Sequence, residues 1–231
     1  MRSLVFDSGP IISLSVNSLL WIMEKLKENF KGEFYIANMI KYELVDRPLN
    51  TKRFEFEAIQ VLDLINKGVL NVVENEKIKN KGMELLDLAN HCFTAQNNYI
   101  NIVHLGDAMS IAATIVLDAE ALIIDERTVR LLIENPERLA KLLKNKLNTK
   151  IEINKEALSK FRKETENLKI IRSVELIAVA YELGFLDKYI IKTIPEPEKT
   201  LLDAVLWGLK VRGCAVSSKE INKIIKIETR K

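Results

Sequence analysis

The chain has 231 residues, of which 48% are hydrophobic and 29% are charged. This balance excludes a mostly disordered chain, because enough apolar surface is available to offset the entropy lost on folding. No apolar run reaches the roughly 18 residues that a membrane-spanning helix needs. The N-terminal segment meets Asp7 after only three apolar residues, so we predict no signal peptide, no membrane association and a cytoplasmic location.

Cysteine, histidine and charge usage restrict the chemistry further. Cys92 and Cys214 make no disulfide framework or zinc set and are expected to be small buried residues. Two histidines are too few for a histidine-rich metal site, so we expect carboxylates to carry any chemistry. Residues 1–150 hold 19 Lys/Arg and 20 Asp/Glu, whereas residues 151–231 hold 16 and 12, a net charge of +4 that suits an anionic partner.

Short apolar runs alternate with helical periods along the first 150 residues. Strands are predicted at Ser3–Phe6, Glu33–Ile36, Val69–Val73 and Ala121–Ile124, with a further edge strand at Thr149–Ile153. Helical periods cover Pro10 to about Phe30, Asn38–Asp46, Glu55–Ile65, Glu76–Ala89 and Gly106–Leu117. Alternation of this kind predicts a parallel sheet with right-handed crossovers.

The pattern changes at about Asn154, after which we predict helices alone. They are Ala157–Leu168, Ser173–Leu183, Leu186–Ile194, Glu198–Val211 and Ser217–Ile227. Gly184 is placed to end the second of these helices, and Ser217 with Glu220 forms a capping box. The sequence therefore predicts an α/β domain over residues 1–150 and an all-helical extension over residues 151–231. The apolar stripes of the extension either pack on the α/β domain or form a dimer surface.

Four acids stand where a ligand site of an open parallel sheet is expected. Asp7 and Asp125 each follow a predicted strand directly, at the end of the sheet where ligands bind. Asp107 begins an alanine-rich helix, and Glu43 lies at the edge of a buried helical stripe. Each acid also has an ordinary explanation: Asp7 and Asp125 suit helix N-caps, Asp107 suits the helix dipole, and Glu43 suits solvent.

Convergence of these acids would require a counter-charge. If the strands that end at Asp7 and Asp125 are neighbours, the four carboxylates meet at one edge and cannot all stay ionised unaided. A hard divalent cation with oxygen ligands, Mg²⁺ or Mn²⁺, is the usual solution. Such ions support hydrolysis at phosphorus.

The order and spacing of these segments resemble the PIN-domain family of metal-dependent nucleases, including its VapC-like members. The similar segments are LVFDSGPIISL (4–14), ANMIKYEL (37–44), LGDAMSIA (105–112) and LIIDER (122–127). The resemblance implies a three-layer α/β/α fold with a parallel central sheet over residues 1–150. It also implies catalytic and metal-binding roles for Asp7, Glu43, Asp107 and Asp125, with Mg²⁺ or Mn²⁺ as cofactor.

The fourth motif departs from the family pattern. Ile124 stands where the family often has Thr or Ser. The alignment also leaves open whether Asp125 or Glu126 is the fourth acid. We favour Asp125, because it directly follows the apolar run, whereas Glu126 either binds a second metal ion or stays in solvent.

Several residues near the motifs are candidates for contact with nucleic acid. Ser8, Arg127 and Arg130 are the predicted contacts, since Arg suits bidentate binding of phosphate. A second basic group, Arg47, Lys52 and Arg53, could line the same rim. Tyr42 and Phe54 either stack on bases or belong to the core or rim.

These observations lead to a Mg²⁺/Mn²⁺-dependent ribonuclease that hydrolyses RNA phosphodiesters, with a toxin-like role, a homodimer and an antitoxin-like partner left open. The alternative is a nucleic-acid-binding or regulatory protein that has the fold with little or no activity. A third reading, a phosphatase of the haloacid-dehalogenase type, is weaker because Gly9 occupies the position where that chemistry wants a second Asp.

Overall fold

The computed structural model describes residues 2–229 of the chain. Within them, eight strands form two sheets. The strands are β1 (Ser3–Phe6), β2 (Glu33–Ala37), β3 (Asn71–Val73), β4 (Phe93–Ala95), β5 (Asn98–Tyr99), β6 (Ala121–Ile123), β7 (Ile151–Ile153) and β8 (Ile170–Ile171). The larger sheet has the order β3–β2–β1–β6–β8, and all its neighbouring strands are parallel. The four strands predicted for this sheet are confirmed.

Helices occupy most of the remaining chain. In residues 2–229 they are α1 (Ser8–Val16), α2 (Ile22–Phe30), α3 (Asn38–Lys41), α4 (Arg47–Thr51), α5 (Glu55–Asn66), α6 (Glu76–Asn90), α7 (Leu105–Val116), α8 (Arg127–Glu134), α9 (Pro136–Leu147), α10 (Lys155–Thr165), α11 (Ser173–Glu182), α12 (Pro197–Val211) and α13 (Ser218–Glu228). A π-helical segment, Tyr42–Asp46, joins α3 to α4. The architecture is α/β with a five-stranded parallel sheet, consistent with three layers.

The central strand of the larger sheet positions the site. β1 is buried along its whole length and pairs with β2 on one side and β6 on the other. Because all three strands run the same way, the residues that follow β1 and β6 emerge at the same edge. The strands that lead to Asp7 and Asp125 are therefore neighbours, which is the condition under which the acids were expected to converge.

The helix predicted from Pro10 to Phe30 is wrong as one element, because α1 and α2 are separated by a turn. Ser18 adopts a left-handed conformation with φ 58°, and the Leu19 N–H donates to the Leu14 carbonyl at 2.8 Å. This hydrogen bond closes α1 with a Schellman-type cap. The turn has no glycine, so the sequence carries no ordinary sign of it.

The prediction that the extension is all-helical is also wrong, since residues 151–231 contribute strands to both sheets. β8 pairs with β6 at the edge of the larger sheet. β7 lies in the smaller antiparallel sheet, of order β5–β4–β7, and not at the edge of the main one. The hairpin between β4 and β5 turns through Gln96 and Asn97, both with positive φ, which matches the twist that a two-residue hairpin needs.

The helix predicted over Leu186–Ile194 is also wrong, because only the single 3₁₀ turn Asp187–Tyr189 forms. Consecutive β-branched Ile190 and Ile191 disfavour a helix, and Pro195 restricts the residue before it. The capping box at the start of α13 is confirmed, with Ser217 accepting the Glu220 N–H.

One cluster of buried apolar side chains runs through the fold, from Leu4 in β1 to Ile225 in α13. Cys92 and Cys214 are both buried, as expected, and burial raises the pKa of each thiol to about 12. Within residues 2–229, every helix is either too short or too polar to cross a membrane.

Candidate functional site

Asp7 lies directly after β1 and caps the start of α1. Its backbone N–H donates to the Ile123 carbonyl of β6 at 2.9 Å. One carboxylate oxygen accepts the Ser110 hydroxyl at 3.1 Å, and the other faces the Gly9 N–H at 3.4 Å. The residue is only 5% exposed. Its carboxylate is therefore held away from bulk water at the edge where the parallel strands end.

Asp107 reaches the same edge from the first turn of α7. Its carboxylate accepts the His104 N–H at 2.9 Å, a bond that caps the helix. Ser110, one turn further along α7, donates to Asp7 and so ties this helix to the end of β1. Asp107 is 9% exposed. Two acids that are 100 residues apart in sequence thus become buried neighbours.

The electrostatics of the two aspartates follow from this proximity. Burial, followed by the negative charge of Asp107, raises the pKa of Asp7 to about 7, although the N–H groups of Gly9 and Ser8 and the Ser110 hydroxyl oppose the shift. Burial also raises the pKa of Asp107. The charges of Glu126 and Glu43 add to that rise, and His104 opposes it. The site therefore concentrates negative charge where water does not screen it well.

Glu43 lies in the π-helical segment, which follows β2 and α3. A Cβ atom at Gly106 would come within 2.6 Å of the Glu43 Oε1 atom, so the glycine leaves the space that the glutamate carboxylate occupies. Gly106 is the second residue of α7 and directly precedes Asp107. π-helical turns are frequent at functional sites, where they redirect one side chain. The structure thus places Glu43 beside the start of α7.

Asp125 follows β6, but its carboxylate turns into a buried polar cluster. It accepts the Ser173 N–H at 2.8 Å, the Ser173 hydroxyl at 2.7 Å and the Ser13 hydroxyl at 3.0 Å. The residue is 4% exposed. Three donors therefore engage this carboxylate and connect β6 to α1 and α11.

Glu126, the next residue, faces the other way. It caps α8 by accepting the Thr128 N–H at 3.0 Å, and it is exposed. Its charge contributes to the raised pKa of Asp107.

The predicted acids therefore fall into two groups. Asp7, Glu43, Asp107 and Glu126 form what we call the acid cluster, linked by the electrostatic effects described above, and Asp125 lies behind it. Within residues 2–229, no three Asp, Glu, His or Cys side chains are gathered so that they could hold a metal ion together. The donors are carboxylate oxygens, the type that Mg²⁺ and Mn²⁺ bind. They fit such an ion in kind, and the exposed Glu126 side chain has room to move.

The residues predicted to contact nucleic acid differ in how accessible they are. Ser8 begins α1, and its backbone N–H lies close enough to Asp7 to affect that carboxylate. Arg127 is exposed at the start of α8. Arg130 is paired with Glu134 at 3.4 Å, so its guanidinium is partly engaged. Among these three residues, Arg127 is the most accessible cation.

The serines that support the site escape the sequence analysis. Ser13, Ser110 and Ser173 each donate a side-chain hydrogen bond to an aspartate. Ser110 lies one helical turn after Asp107, which is a signal the sequence does carry. Ser173 is 48 residues from Asp125 and meets it only because β8 joins the sheet.

Comparison of the chain with protein-family models, curated proteins and solved structures gave no match. A surface groove of about 830 Å³ lies elsewhere on the molecule, where residues of α8 and α10 line it. It contains no member of the acid cluster. The function is therefore argued from the acid cluster itself.

Proposed function

We propose that the protein is a Mg²⁺- or Mn²⁺-dependent ribonuclease with a PIN-like fold. The burial of Asp7 beside Asp107 carries this proposal, because the charge of one raises the pKa of the other and because Glu43 and Glu126 add like charge. A divalent cation would relieve that repulsion. The acid cluster lies at the carboxyl edge of a parallel sheet, and folds of this kind bind their ligands at that edge.

The four acids of the cluster share one role in this proposal. Asp7, Glu43, Asp107 and Glu126 would hold the cation, which when bound supplies a positive charge at the phosphodiester and an activated water. Arg127, exposed beside Glu126, would bind a phosphate of the RNA. No side-chain nucleophile is required, which agrees with the neutral, buried thiols of Cys92 and Cys214. A toxin role and an antitoxin-like partner, which the resemblance suggests, and a homodimer, which the apolar stripes of the extension suggest, stay predictions.

Asp125 acts as a positioning residue in this proposal. Its three hydrogen bonds fix the end of β6 and thereby the residue that follows it, Glu126. We therefore expect Glu126→Gln to reduce cleavage at least about tenfold with no change in the melting temperature. Asp125→Asn is expected to reduce cleavage and also to lower the melting temperature, because its amide nitrogen replaces one of the oxygens that accept hydrogen bonds.

The experiment uses end-labelled single-stranded RNA with Mn²⁺, with and without EDTA. Asp107→Asn is the test variant, and Asp118→Asn is its matched control, since Asp118 is an exposed acid just after the other end of α7. We expect cleavage by the wild type and Asp118→Asn, and none by Asp107→Asn or with EDTA. Wild-type cleavage by Asp107→Asn, or cleavage that EDTA leaves unchanged, would refute the proposal.

A nucleic-acid-binding protein without useful activity is the second candidate. It is favoured by the engagement of Asp125 with three donors and by the +4 charge of residues 151–231. Salt-dependent RNA binding by a chain that cleaves none of several RNAs would select this candidate.

A further inference from the structure

A narrow apolar cavity opens beside the acid cluster, between α1, the π-helical segment and α5. Its volume is about 100 Å³, and Glu43 forms part of its wall. Ile11, Leu44 and Val61 supply apolar lining. Pockets that enclose a whole drug-sized molecule start at about 300 Å³, so this cavity suits a single planar ring. Glu43 belongs both to the wall of this cavity and to the acid cluster.

Phe54 stands at this cavity with an unusual backbone. It lines the cavity and yet is 51% exposed. Its φ is +61°, and Lys52 has φ +60°, so two non-glycine residues of this short loop are left-handed. That conformation is unfavourable for a bulky side chain and persists only where the surrounding structure imposes it. The loop thus presents an aromatic face to whatever enters the cavity.

The charges around the cavity are arranged in two zones. The segment 47–54, RPLNTKRF, carries three cations and no acid, and Arg47, Lys52 and Arg53 are all exposed. The Arg53 guanidinium lies 5.1 Å from the centroid of the Phe54 ring. Among the residues that line the cavity, Glu43 and Glu57 are acidic. Cations outside suit phosphates, whereas an acidic side chain at the cavity suits hydrogen bonds from amino groups.

We infer that this cavity is a nucleobase subsite, in which one base of a single-stranded RNA stacks on Phe54 while Arg47, Lys52 and Arg53 bind its phosphates. The inference rests on the proposed ribonuclease function and extends it to the substrate. Bases stack on aromatic side chains in most single-strand binding sites. The Glu57 carboxylate selects bases that carry an exocyclic amine, so cytosine is bound more tightly than uracil.

The test measures binding apart from cleavage, by fluorescence anisotropy in EDTA. The probes are labelled eight-nucleotide oligocytidylate and oligouridylate and an abasic strand of the same length. Phe54→Ala is the test variant, Phe54→Trp restores a ring, and Phe56→Ala is the matched control. Phe56 is 68% exposed, two residues away, and is not part of the cavity lining.

We expect Phe54→Ala to weaken oligocytidylate binding about tenfold and abasic binding hardly at all. Phe54→Trp and Phe56→Ala should bind like the wild type. Glu57→Gln should equalise oligocytidylate and oligouridylate, because the amide also donates to the uracil O4 atom. Equal affinity of wild type and Phe54→Ala for oligocytidylate overturns the inference, as does a wild type that binds none of the probes.

A protein partner is the competing occupant, since Phe56 and Ile59 extend the exposed apolar surface along α5. Sedimentation velocity separates the two cases: a self-associated chain that both Phe54→Ala and Phe56→Ala dissociate indicates a protein interface and overturns the base subsite. Cleavage in Mn²⁺ separates this inference from the proposed function. If the wild type and Phe54→Ala bind oligocytidylate equally but the wild type cleaves RNA, only the subsite fails. If the wild type binds through Phe54 but cleaves nothing, only the ribonuclease proposal fails.

Discussion

Gly106 illustrates how single residues shape the acid cluster. It directly precedes Asp107 in the first turn of α7, and a Cβ atom there would meet Glu43 Oε1 at 2.6 Å and Glu43 Cδ at 3.2 Å. The conflict involves the end of a side chain that can move, and not the backbone. A substitution at this position therefore displaces a carboxylate without breaking the helix.

We predict that Gly106→Ala changes the free energy of unfolding by no more than about 1 kcal/mol, because alanine favours the helix while the Glu43 side chain moves aside. Cleavage of RNA should fall at least about tenfold. The measurements are urea unfolding and the Mn²⁺-dependent cleavage rate. A double variant with Glu43→Gln is the control, and it should be no slower than Glu43→Gln alone. If the losses of cleavage rate in the two single variants add up in the double variant, Gly106→Ala acts through a group other than Glu43.

At the same scale, some features of the candidate site could be predicted and some could not. Asp7 and Asp125 were visible because each follows a buried apolar run, and the strand that leads to each is confirmed. The orientation of Asp125 was not visible, since it depends on hydrogen bonds from Ser13 and Ser173 on other elements. Sequence spacing carries no information about such distant donors.

Elements of the fold were predictable to the extent that their patterns are local. The apolar runs of β1 and β2 are read directly, and Ser217 identifies the start of α13. In contrast, β8 has two residues and no recognisable period, so its place in the sheet comes only from pairing with β6. The π-helical segment is equally invisible, because its sequence has an ordinary helical pattern.

Arg172 connects three of these elements at the end of β8. Its guanidinium pairs with Glu175 in α11 and with Glu220 in α13 at 2.9 Å, and it donates to the Ala215 carbonyl at 3.0 Å. For Glu220, burial opposes ionisation, but hydrogen bonds from Ser217 and the charge of Arg172 outweigh it and lower the pKa to about 2. Arg172 thus anchors the last helix through a carboxylate that must stay ionised.

This arrangement predicts how stability depends on pH. Because the pKa of Glu220 is depressed in the folded state, its contribution is complete above its ordinary value of 4.5 and is lost as the pH falls towards 2. The Glu220 side chain is 42% exposed, so we expect only about 1 kcal/mol. In urea unfolding, the free energy of unfolding of Glu220→Gln should be lower than that of the wild type by this amount at pH 7. At pH 2 the two values should be indistinguishable. Glu156→Gln, which breaks an exposed pair with Lys160, is the control and should change less at pH 7.

For the whole molecule, the question is whether residues 1–150 form a domain, as the sequence analysis predicts. Residues beyond 150 cover the β6 edge with β8, complete the smaller sheet with β7 and supply Ser173 to Asp125. They also bury Phe161 and Ile177 completely within the same apolar cluster as β1. The extension is therefore packed into the fold that carries the acids. Its removal should disturb the arrangement of the acid cluster.

We predict that a chain of residues 1–150 does not unfold cooperatively in urea, because it exposes the β6 edge and much of the apolar cluster. Removal of residues 218–231 alone is the graded control: it takes away α13 and Glu220 but leaves β8 and Ser173 in place. The chain without residues 218–231 should have a lower urea midpoint than the wild type but should still unfold cooperatively and cleave RNA. Circular dichroism and size-exclusion chromatography measure both chains. A cooperative transition for residues 1–150 near the wild-type midpoint would contradict the prediction and would establish the first 150 residues as an independent domain.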